Sequence, residues 1–192
     1  MTIKKVVVVI GSPRKNGNST ILAKQVIAGA QTNGADVESF HLHDMNIQPC
    51  RACDTCQEDM SKDCVVDDDI KLIHPQLRGA DALVIASPIY WFNVSAQTKL
   101  FIDRCYALGD PQGHALTGKR IGIILTYGDA DPFISGAVNA IRAFQDSFNY
   151  IGAKIVGMVY GTALKAGEIE SNRALMDEAY RLGKKLGSDT LN

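Results

Sequence analysis

Four cysteines lie close together in the sequence: Cys50, Cys53, Cys56 and Cys64 form the pattern C-x2-C-x2-C-x7-C. Two-residue spacers allow successive thiolates to point toward one centre, as an iron–sulfur cluster requires. Four thiolates also suit tetrahedral zinc, and the same cysteines could remain reduced or form a redox pair. The spacing alone leaves these interpretations open.

A second group of polar residues fills the segment 11–20, which reads GSPRKNGNST. It follows an apolar run and opens an amphipathic one, so its backbone N–H groups and hydroxyls converge on a predicted helix N-terminus. A phosphate is favourably bound at such a position. The segment does not end in the Gly-Lys-Ser/Thr of a Walker A motif, which disfavours ATP. It also lacks the Gly-x-Gly-x-x-Gly pattern, which disfavours NAD bound in the Rossmann manner. The donors that we expect at the phosphate are Ser12, Arg14, Asn18, Ser19 and Thr20.

Aromatic residues follow another apolar run, in the segment 87–95 (SPIYWFNVS). Three consecutive aromatic side chains can wall a flat ring system by stacking, while main-chain groups and Asn93 meet its polar edge. The alternative is that each of them packs in the core or at a subunit contact. A third loop, 126–132, contains Tyr127 and Gly128, and this glycine lets the backbone approach a ligand closely.

Together the three loops predict a phosphate site and aromatic walls at one edge of a sheet. FMN matches these requirements, because it has one phosphate, a ribityl chain and a planar isoalloxazine. Such a cofactor carries the difficult chemistry, here hydride transfer from NAD(P)H, and the protein supplies position and electrostatics. We find no Ser-His-Asp, Cys-His or paired-carboxylate set in the sequence, so we expect no catalytic side chain.

The elements that position these loops alternate along the chain. Short β-branched runs predict strands at 6–10, 37–41, 82–86, 121–126 and 155–160. Amphipathic stretches predict helices at 20–32, 68–77, 96–107, 132–151 and 169–186. This alternation predicts an α/β domain with a parallel sheet and a ligand at the carboxyl ends of its strands. The expected helix N-caps are Ser19, Ser95 and either Asp67 or Asp68.

Length and composition favour one domain over residues 1–192, with the cysteine-rich segment 48–66 inserted before the second helix. The net charge of −1 provides no field for binding nucleic acid or an anionic membrane. The apolar run 6–10 is far shorter than the roughly 20 residues of a membrane span, and no signal-peptide cleavage site follows it. We therefore expect a cytoplasmic protein.

The segments 11–20, 88–99 (PIYWFNVSAQTK), 101–104 (FIDR) and 161–168 (GTALKAGE) resemble the NAD(P)H-dependent FMN reductase branch of the flavodoxin-like superfamily. The resemblance covers nearly the whole chain. It implies a three-layer α/β/α domain with a five-stranded parallel sheet of order 2-1-3-4-5. It also implies bound FMN, NAD(P)H as cosubstrate, a quinone, flavin or similar acceptor, and a homodimer or homotetramer.

The same resemblance implies which residues contact FMN. The phosphate donors are those named above, and the ring is expected against Pro88, Ile89, Tyr90, Trp91, Phe92, Asn93, Tyr127 and Gly128.

The cysteine pattern is similar to that of the iron–sulfur flavoproteins, a branch of this family whose four cysteines bind a [4Fe-4S] cluster. The wide spacer before Cys64 places the match near the edge of that pattern. This similarity implies an alternative function: electron transfer with a ferredoxin-like partner, through a cluster on Cys50, Cys53, Cys56 and Cys64.

Overall fold

A computed structural model of the chain describes residues 3–58 and 63–188. The strands are β1 (Lys5–Ile10), β2 (Asp36–His41), β3 (Ala82–Tyr90), β4 (Asn93–Val94), β5 (Gly109–Asp110), β6 (Gly113–His114), β7 (Arg120–Tyr127) and β8 (Lys154–Thr162). The α-helices are α1 (Asn18–Thr32), α2 (Thr55–Glu58), α3 (Ile70–Gly79), α4 (Ala96–Arg104), α5 (Ala137–Tyr150) and α6 (Arg173–Leu186). Part of the predicted cysteine-rich segment, residues 59–62, lies outside the described residues.

The main sheet has the order β2-β1-β3-β7-β8, and these five strands are parallel. Counted as the five predicted strands, this is the order 2-1-3-4-5, so the predicted flavodoxin-like fold is confirmed. The short strand β4 pairs antiparallel with the end of β3, and β5 pairs with β6 in a separate hairpin. These two-residue strands were not predicted, because so few residues show no periodicity.

Helices cover both faces of the sheet, which explains why β1 is apolar from Val6 to Ile10. Val6 and Val8 pack in the layer with α1 and α6. Val7 and Val9 pack in the opposite layer with α3, α4 and α5. All four side chains are fully buried, and each contributes roughly 1.5–3 kcal/mol to folding.

The observed helix boundaries follow local backbone chemistry and correct several predictions. Gly17, not Ser19, is the N-cap of α1, so Ser19 lies inside the first turn. Ser95 caps α4 as predicted, since its hydroxyl accepts the Thr98 N–H at 3.3 Å. The helix predicted over 132–151 begins only at Ala137, because Gly136 takes a left-handed conformation with φ of 74°.

The ends of the other helices and of strand β3 differ from the predicted ends by a few residues. The N-cap of α3 is Asp69, while the Asp68 carboxylate accepts the Ile70 N–H at 3.1 Å. The predicted helix 96–107 ends at Arg104 and continues as the 3-10 turn Cys105–Leu108. The predicted helix 169–186 divides into the 3-10 turn Glu168–Ser171 and α6. Strand β3 continues past the predicted 82–86 because the hairpin with β4 extends it. Within residues 3–58 and 63–188, no helix combines the length and apolarity that a membrane crossing needs.

Candidate functional site

The loops that follow β1, β3 and β7 meet at one edge of the sheet, because these strands are parallel neighbours. The loop after β1 (residues 11–17) is fastened directly to β3 and α4. The Gly11 N–H donates to the Ala86 carbonyl at 2.8 Å, and the Ser95 hydroxyl donates to the Gly11 carbonyl at 2.7 Å. A β-carbon on Gly11 would collide with the Thr98 side chain. The first two predicted loops therefore form one rigid unit.

The loop after β1 folds around a single carbonyl group, that of Arg14. This oxygen accepts hydrogen bonds from the Ser12 hydroxyl at 3.2 Å, the Gly17 N–H at 3.0 Å and the Thr20 hydroxyl at 3.1 Å. The Ser12 oxygen also accepts the Arg14 N–H at 3.1 Å. The hydroxyls of Ser12 and Thr20, both expected at the phosphate, are therefore occupied in shaping the loop. The exposed Arg14 side chain lies at its rim.

Ser19 differs from its neighbours, because its side chain is fully buried and its hydroxyl has no partner among the described residues. The residue lies in the first turn of α1, where backbone N–H groups lack helical partners. In the described part of the chain no side chain caps this helix, and its first turn contains no acidic residue. A buried, unpaired donor beside a positive helix end fits a phosphate group.

Asn18 is also buried, but its side chain binds the protein itself. Its amide nitrogen donates to the carbonyls of Ala163 at 3.0 Å and Lys165 at 2.9 Å. Its amide oxygen accepts the Ile169 N–H at 3.3 Å. The side chain predicted to bind phosphate is therefore a structural tie to the segment after β8, and only its backbone N–H remains for an anion.

The predicted aromatic loop is a tight β-hairpin at the end of β3. Its two turn residues, Trp91 and Phe92, have positive φ values of 49° and 66°, which are unusual for bulky side chains. Their rings meet edge to face with centroids 6.0 Å apart. Trp91 is 93% exposed at the tip, so it is free to contact a ligand. The Asn139 amide donates to the Phe92 carbonyl at 3.2 Å and joins the hairpin to α5.

The other residues predicted to contact the ring divide into two groups. Pro88 is buried within β3, and Ile89 packs against the core layer that contains α3 and α5. Ile89 therefore contributes to the core of the domain. Tyr90 and Asn93 form the last pair of the hairpin and are exposed.

The third predicted loop contains a nearly buried tyrosine, Tyr127, and burial raises the pKa of its hydroxyl. Its carbonyl accepts the Ala163 N–H at 2.7 Å, which brings the segment after β8 against this loop. A β-carbon on Gly128 would lie 2.8 Å from the Leu164 side chain. The Glu168 carboxylate accepts the N–H groups of Leu164 and Lys165, each at 2.8 Å, and these bonds lower the pKa of Glu168.

Exposed apolar side chains form a rim on these loops. Asp131 shapes one part of the rim, because its carboxylate accepts the N–H groups of Phe133 at 2.7 Å and Ile134 at 2.9 Å. The exposed positions of Phe133 and Ile134 were not predicted, because 132–151 was assigned to a helix. The apolar rim consists of Tyr90, Trp91, Phe92, Phe133, Ile134 and Leu164.

The four clustered cysteines line one small cavity of about 20 Å³. All are free thiols; Cys50 and Cys53 are exposed, while Cys56 and Cys64 are half-buried. Hydrogen bonds from Thr55 lower the pKa of the Cys53 thiol. In the ranges that the structure describes, no three His, Cys, Asp or Glu side chains converge as a single metal ion would require. Four soft donors around one cavity fit a thiolate-held iron–sulfur group in donor type.

The fifth cysteine, Cys105, lies apart from this group. Its thiol donates to the Phe101 carbonyl at 3.4 Å, and burial raises its pKa to about 12. The residue is therefore a structural thiol of low reactivity.

Comparison with known proteins agrees with this geometry. A family model described as NADPH-dependent FMN reductase matches residues 4–167. An iron–sulfur flavoprotein from Archaeoglobus fulgidus is 33% identical over 187 residues, covering 95% of this chain and 78% of the relative. The Bacillus subtilis protein YwqN, which bears the name of an NAD(P)H-dependent FMN-containing oxidoreductase, is 31% identical over 94% of this chain and 97% of its own.

A solved structure of the Trp repressor binding protein from Bacillus subtilis superimposes with a TM-score of 0.68 at 29% identity. The alignment covers 93% of this chain and 99% of that one. The fold, the loops at the carboxyl edge and the family match over most of the chain lead to one conclusion. The chain belongs to the NADPH-dependent FMN reductase family and is an NAD(P)H-dependent oxidoreductase that uses FMN.

Proposed function

We propose that the enzyme passes electrons from NAD(P)H through FMN to a small planar acceptor, such as a quinone or a flavin. When bound, FMN supplies the hydride chemistry. The observation that carries this proposal is the buried Ser19 hydroxyl at the start of α1, which has no partner within residues 3–58 and 63–188.

Ser19 and the backbone N–H groups of the first turn of α1 would hold the FMN phosphate. The helix dipole favours an anion there, and the exposed Arg14 side chain adds a positive charge at the rim. Ser12 and Thr20 contribute indirectly, because they keep the loop in shape around the Arg14 carbonyl.

The hairpin and the loop after β7 would enclose the isoalloxazine ring. Tyr90, Trp91 and Phe92 supply aromatic surface, and Gly128 permits close approach of the backbone. Main-chain N–H groups of these loops would stabilise negative charge at the polar edge of the ring. We assign no proton transfer to a side chain, and Tyr127 shapes the pocket.

The apolar rim supports the choice of acceptor. Its six large side chains surround the loops at the carboxyl edge and favour a flat apolar molecule over a charged one. NAD(P)H and the acceptor would use the same open side of the site in turn. This order requires no protein nucleophile.

The test begins with protein loaded with FMN under anaerobic conditions. NADPH or NADH should bleach the flavin absorbance, and a quinone should restore it with turnover. Trp91→Ala should lower kcat/KM for the quinone when the rate is expressed per bound FMN. Leu72→Ala, at an exposed apolar position on α3, is the matched control. Folded protein that fails to take up FMN would overturn the proposal.

A second candidate function is electron transfer through an iron–sulfur cluster, with a ferredoxin-like partner. It is favoured by the placement of Cys50, Cys53, Cys56 and Cys64 around one cavity, and by similarity to a relative named an iron–sulfur flavoprotein. These four thiolates would hold the cluster. Anaerobic protein should then contain iron and acid-labile sulfide in addition to FMN. Cys53→Ala should remove the iron and spare the flavin, and full iron content in that variant contradicts the cluster assignment.

We also propose that the chain forms a homodimer or homotetramer. An open groove of about 910 Å³ runs between α4 and α5, lined largely by apolar side chains such as Phe101, Leu116 and Phe144. The exposed side chains of Tyr106 and Tyr150, which also line this groove, would contact the second copy of the chain. Sedimentation velocity should show a dimer or tetramer at micromolar concentration, and a monomer would contradict this proposal.

A further inference from the structure

A buried ion pair lies at the base of the cysteine loop (residues 49–67). The Arg104 side chain, at the end of α4, is 1% exposed, and its partner Asp68 is fully buried. The guanidinium binds the carboxylate in a bidentate manner: Nη1 lies 2.5 Å from Oδ2 and Nη2 lies 3.2 Å from Oδ1. Such a bidentate pair fixes the orientation of the two side chains as well as the distance between them.

The same pair holds both ends of the loop. Gln48 immediately precedes the loop, and its carbonyl accepts a hydrogen bond from Arg104 Nη1 at 2.7 Å. The Gln48 N–H donates to Asp68 Oδ2 at 2.8 Å, and Asp68 immediately follows the loop. One side chain of α4 therefore closes the chain segment that carries the four cysteines.

Arg104 also contacts one of the sulfurs. Its Nη2 donates a hydrogen bond of 3.2 Å to the Cys64 sulfur. The other three sulfurs receive their donors from within the loop: Cys50 from the Ala52 N–H, Cys53 from Thr55 and Cys56 from the Gln57 amide. Among the described residues, Cys64 is the only one of these four cysteines whose sulfur accepts a hydrogen bond from a cationic side chain outside the loop.

The wide spacer of the motif separates Cys64 from the other three cysteines. The first three cysteines lie at intervals of three residues on the loop, while Cys64 lies at the return of the chain, next to Arg104. The fourth sulfur is thus held by the helix, and the other three are positioned by the loop.

We infer that Arg104 is a positioning residue that holds the Cys64 sulfur at the cavity and raises the reduction potential of the redox group bound there. This inference rests on the iron–sulfur candidate function. A hydrogen bond to a ligand sulfur stabilises the additional negative charge of the reduced state, so it raises the potential. The buried charge of Arg104 is balanced by Asp68, which leaves the hydrogen bond as the direct influence on the sulfur.

Lysine at position 104 separates this role from a structural one. An ammonium group retains the positive charge opposite Asp68, but it lacks the planar fork that reaches the carboxylate and the sulfur together. If Arg104 serves only as the counter-ion of Asp68, then Arg104→Lys should bind as much iron as wild type, at the same reduction potential.

The experiment uses the full-length protein with FMN, reconstituted anaerobically with ferrous iron and sulfide. Arg104→Lys is compared with wild type and with Lys99→Met, which removes an exposed cation from the same helix. We expect the lysine variant to remain folded but to hold less iron, or to hold a cluster with a more negative potential. Lys99→Met should match wild type. Equal iron content and equal potential in Arg104→Lys would overturn the inference.

A second measurement distinguishes failure of the inference from failure of the cluster assignment. Metal-free protein is alkylated with iodoacetamide at a pH high enough to ionise the clustered thiols, and modification of Cys64 and Cys53 is followed by mass spectrometry. Arg104→Lys should accelerate modification of Cys64 relative to Cys53, because the sulfur loses its donor and its shielding. If wild type binds no iron but this acceleration is observed, the cluster assignment fails and the positioning role stands. An unchanged ratio overturns the positioning role.

Discussion

The Asn18 amide donates a hydrogen bond of 3.0 Å to the carbonyl of Ala163, 145 residues away in the sequence. Two further bonds, to Lys165 and from Ile169, complete the connection between the start of α1 and the segment after β8. The residues that approach the phosphate position are therefore held in place by the far end of the chain.

Replacement of Asn18 by alanine should destabilise the protein. Three hydrogen bonds at a buried position are lost, and the carbonyls left behind lose their donor. We expect the free energy of unfolding to fall by about 2–4 kcal/mol. Urea denaturation of the FMN-free protein measures this change. A loss of FMN affinity without a loss of stability would show instead that the side chain acts on the ligand.

Replacement of Ser19 by alanine should weaken FMN binding with little effect on folding, because this hydroxyl has no partner to lose among the described residues. A hydrogen bond to a charged group contributes about 1.5–3 kcal/mol, so the Kd for FMN should rise roughly ten- to a hundredfold. Fluorescence titration of the apoprotein provides the measurement. Ser39→Ala, at an exposed position on β2, is the control, and equal Kd values for the two variants would remove Ser19 from the phosphate site.

His114 should make the fold sensitive to mild acid. Its Nε2 donates to the Cys105 carbonyl at 3.1 Å and its Nδ1 accepts the Leu116 N–H at 3.1 Å, which requires the neutral ring. Burial lowers its pKa below the ordinary 6.5. Below pH 6.5 the unfolded chain therefore binds a proton that the folded chain excludes, and stability falls as the pH falls.

Replacement of His114 by asparagine should reduce this pH dependence, because the amide oxygen still accepts the Leu116 N–H and cannot be protonated. The slope of unfolding free energy against pH should decrease by at most about 1.4 kcal/mol per pH unit. Some dependence should remain, since burial lowers the pKa of His74 as well. Denaturant titrations between pH 5 and 8 test this expectation; identical slopes in both proteins would contradict it.

Lys119 should be a major stabilising residue on the amino-terminal side of the sheet. Its ammonium group donates to the carbonyls of Leu77, Arg78 and Ala80 at 2.6–2.8 Å, at the end of α3. Lys119→Met should lower the free energy of unfolding by about 1.5–3 kcal/mol, because these carbonyls lose a charged donor. Thermal unfolding compares it with Lys154→Met, at an exposed lysine; a melting temperature equal to that of the control would contradict the prediction.

The fold was predictable from the sequence because its periodic signals are strong. Strand β1 is apolar from Val6 to Ile10 and lies between helices on both faces, and the alternation of strands and helices predicts a parallel sheet. Ser95 was recognised as a cap because its hydroxyl performs that role locally. Helix starts after Gly17 and Gly136 were misplaced, since a glycine N-cap without a side chain leaves little sequence signal.

The site was predictable in its location but only partly in the role of each residue. The loop 11–20 lies where the strand–helix pattern placed it, yet the functions of its polar side chains depend on distant contacts. Asn18 binds carbonyls after β8, and Ser12 binds a carbonyl within its own loop, whereas Ser19 has no such bond among the described residues. Composition alone does not distinguish these three cases. Arg104 was missed for a similar reason, because only the tertiary structure brings it to Asp68 and Cys64.

The N-cap of helix α4 is bound to the loop after β1, and the last residue of the helix is bound to the cysteine loop. Ser95 is fastened to the Gly11 carbonyl, and Arg104 to Asp68. Each helical residue adds a rotation of about 100° and a rise of about 1.5 Å. Insertion or deletion of a single residue between these two positions would leave the first attachment in place and swing the guanidinium away from its carboxylate. The number of residues in this helix therefore determines the relative orientation of the two loops.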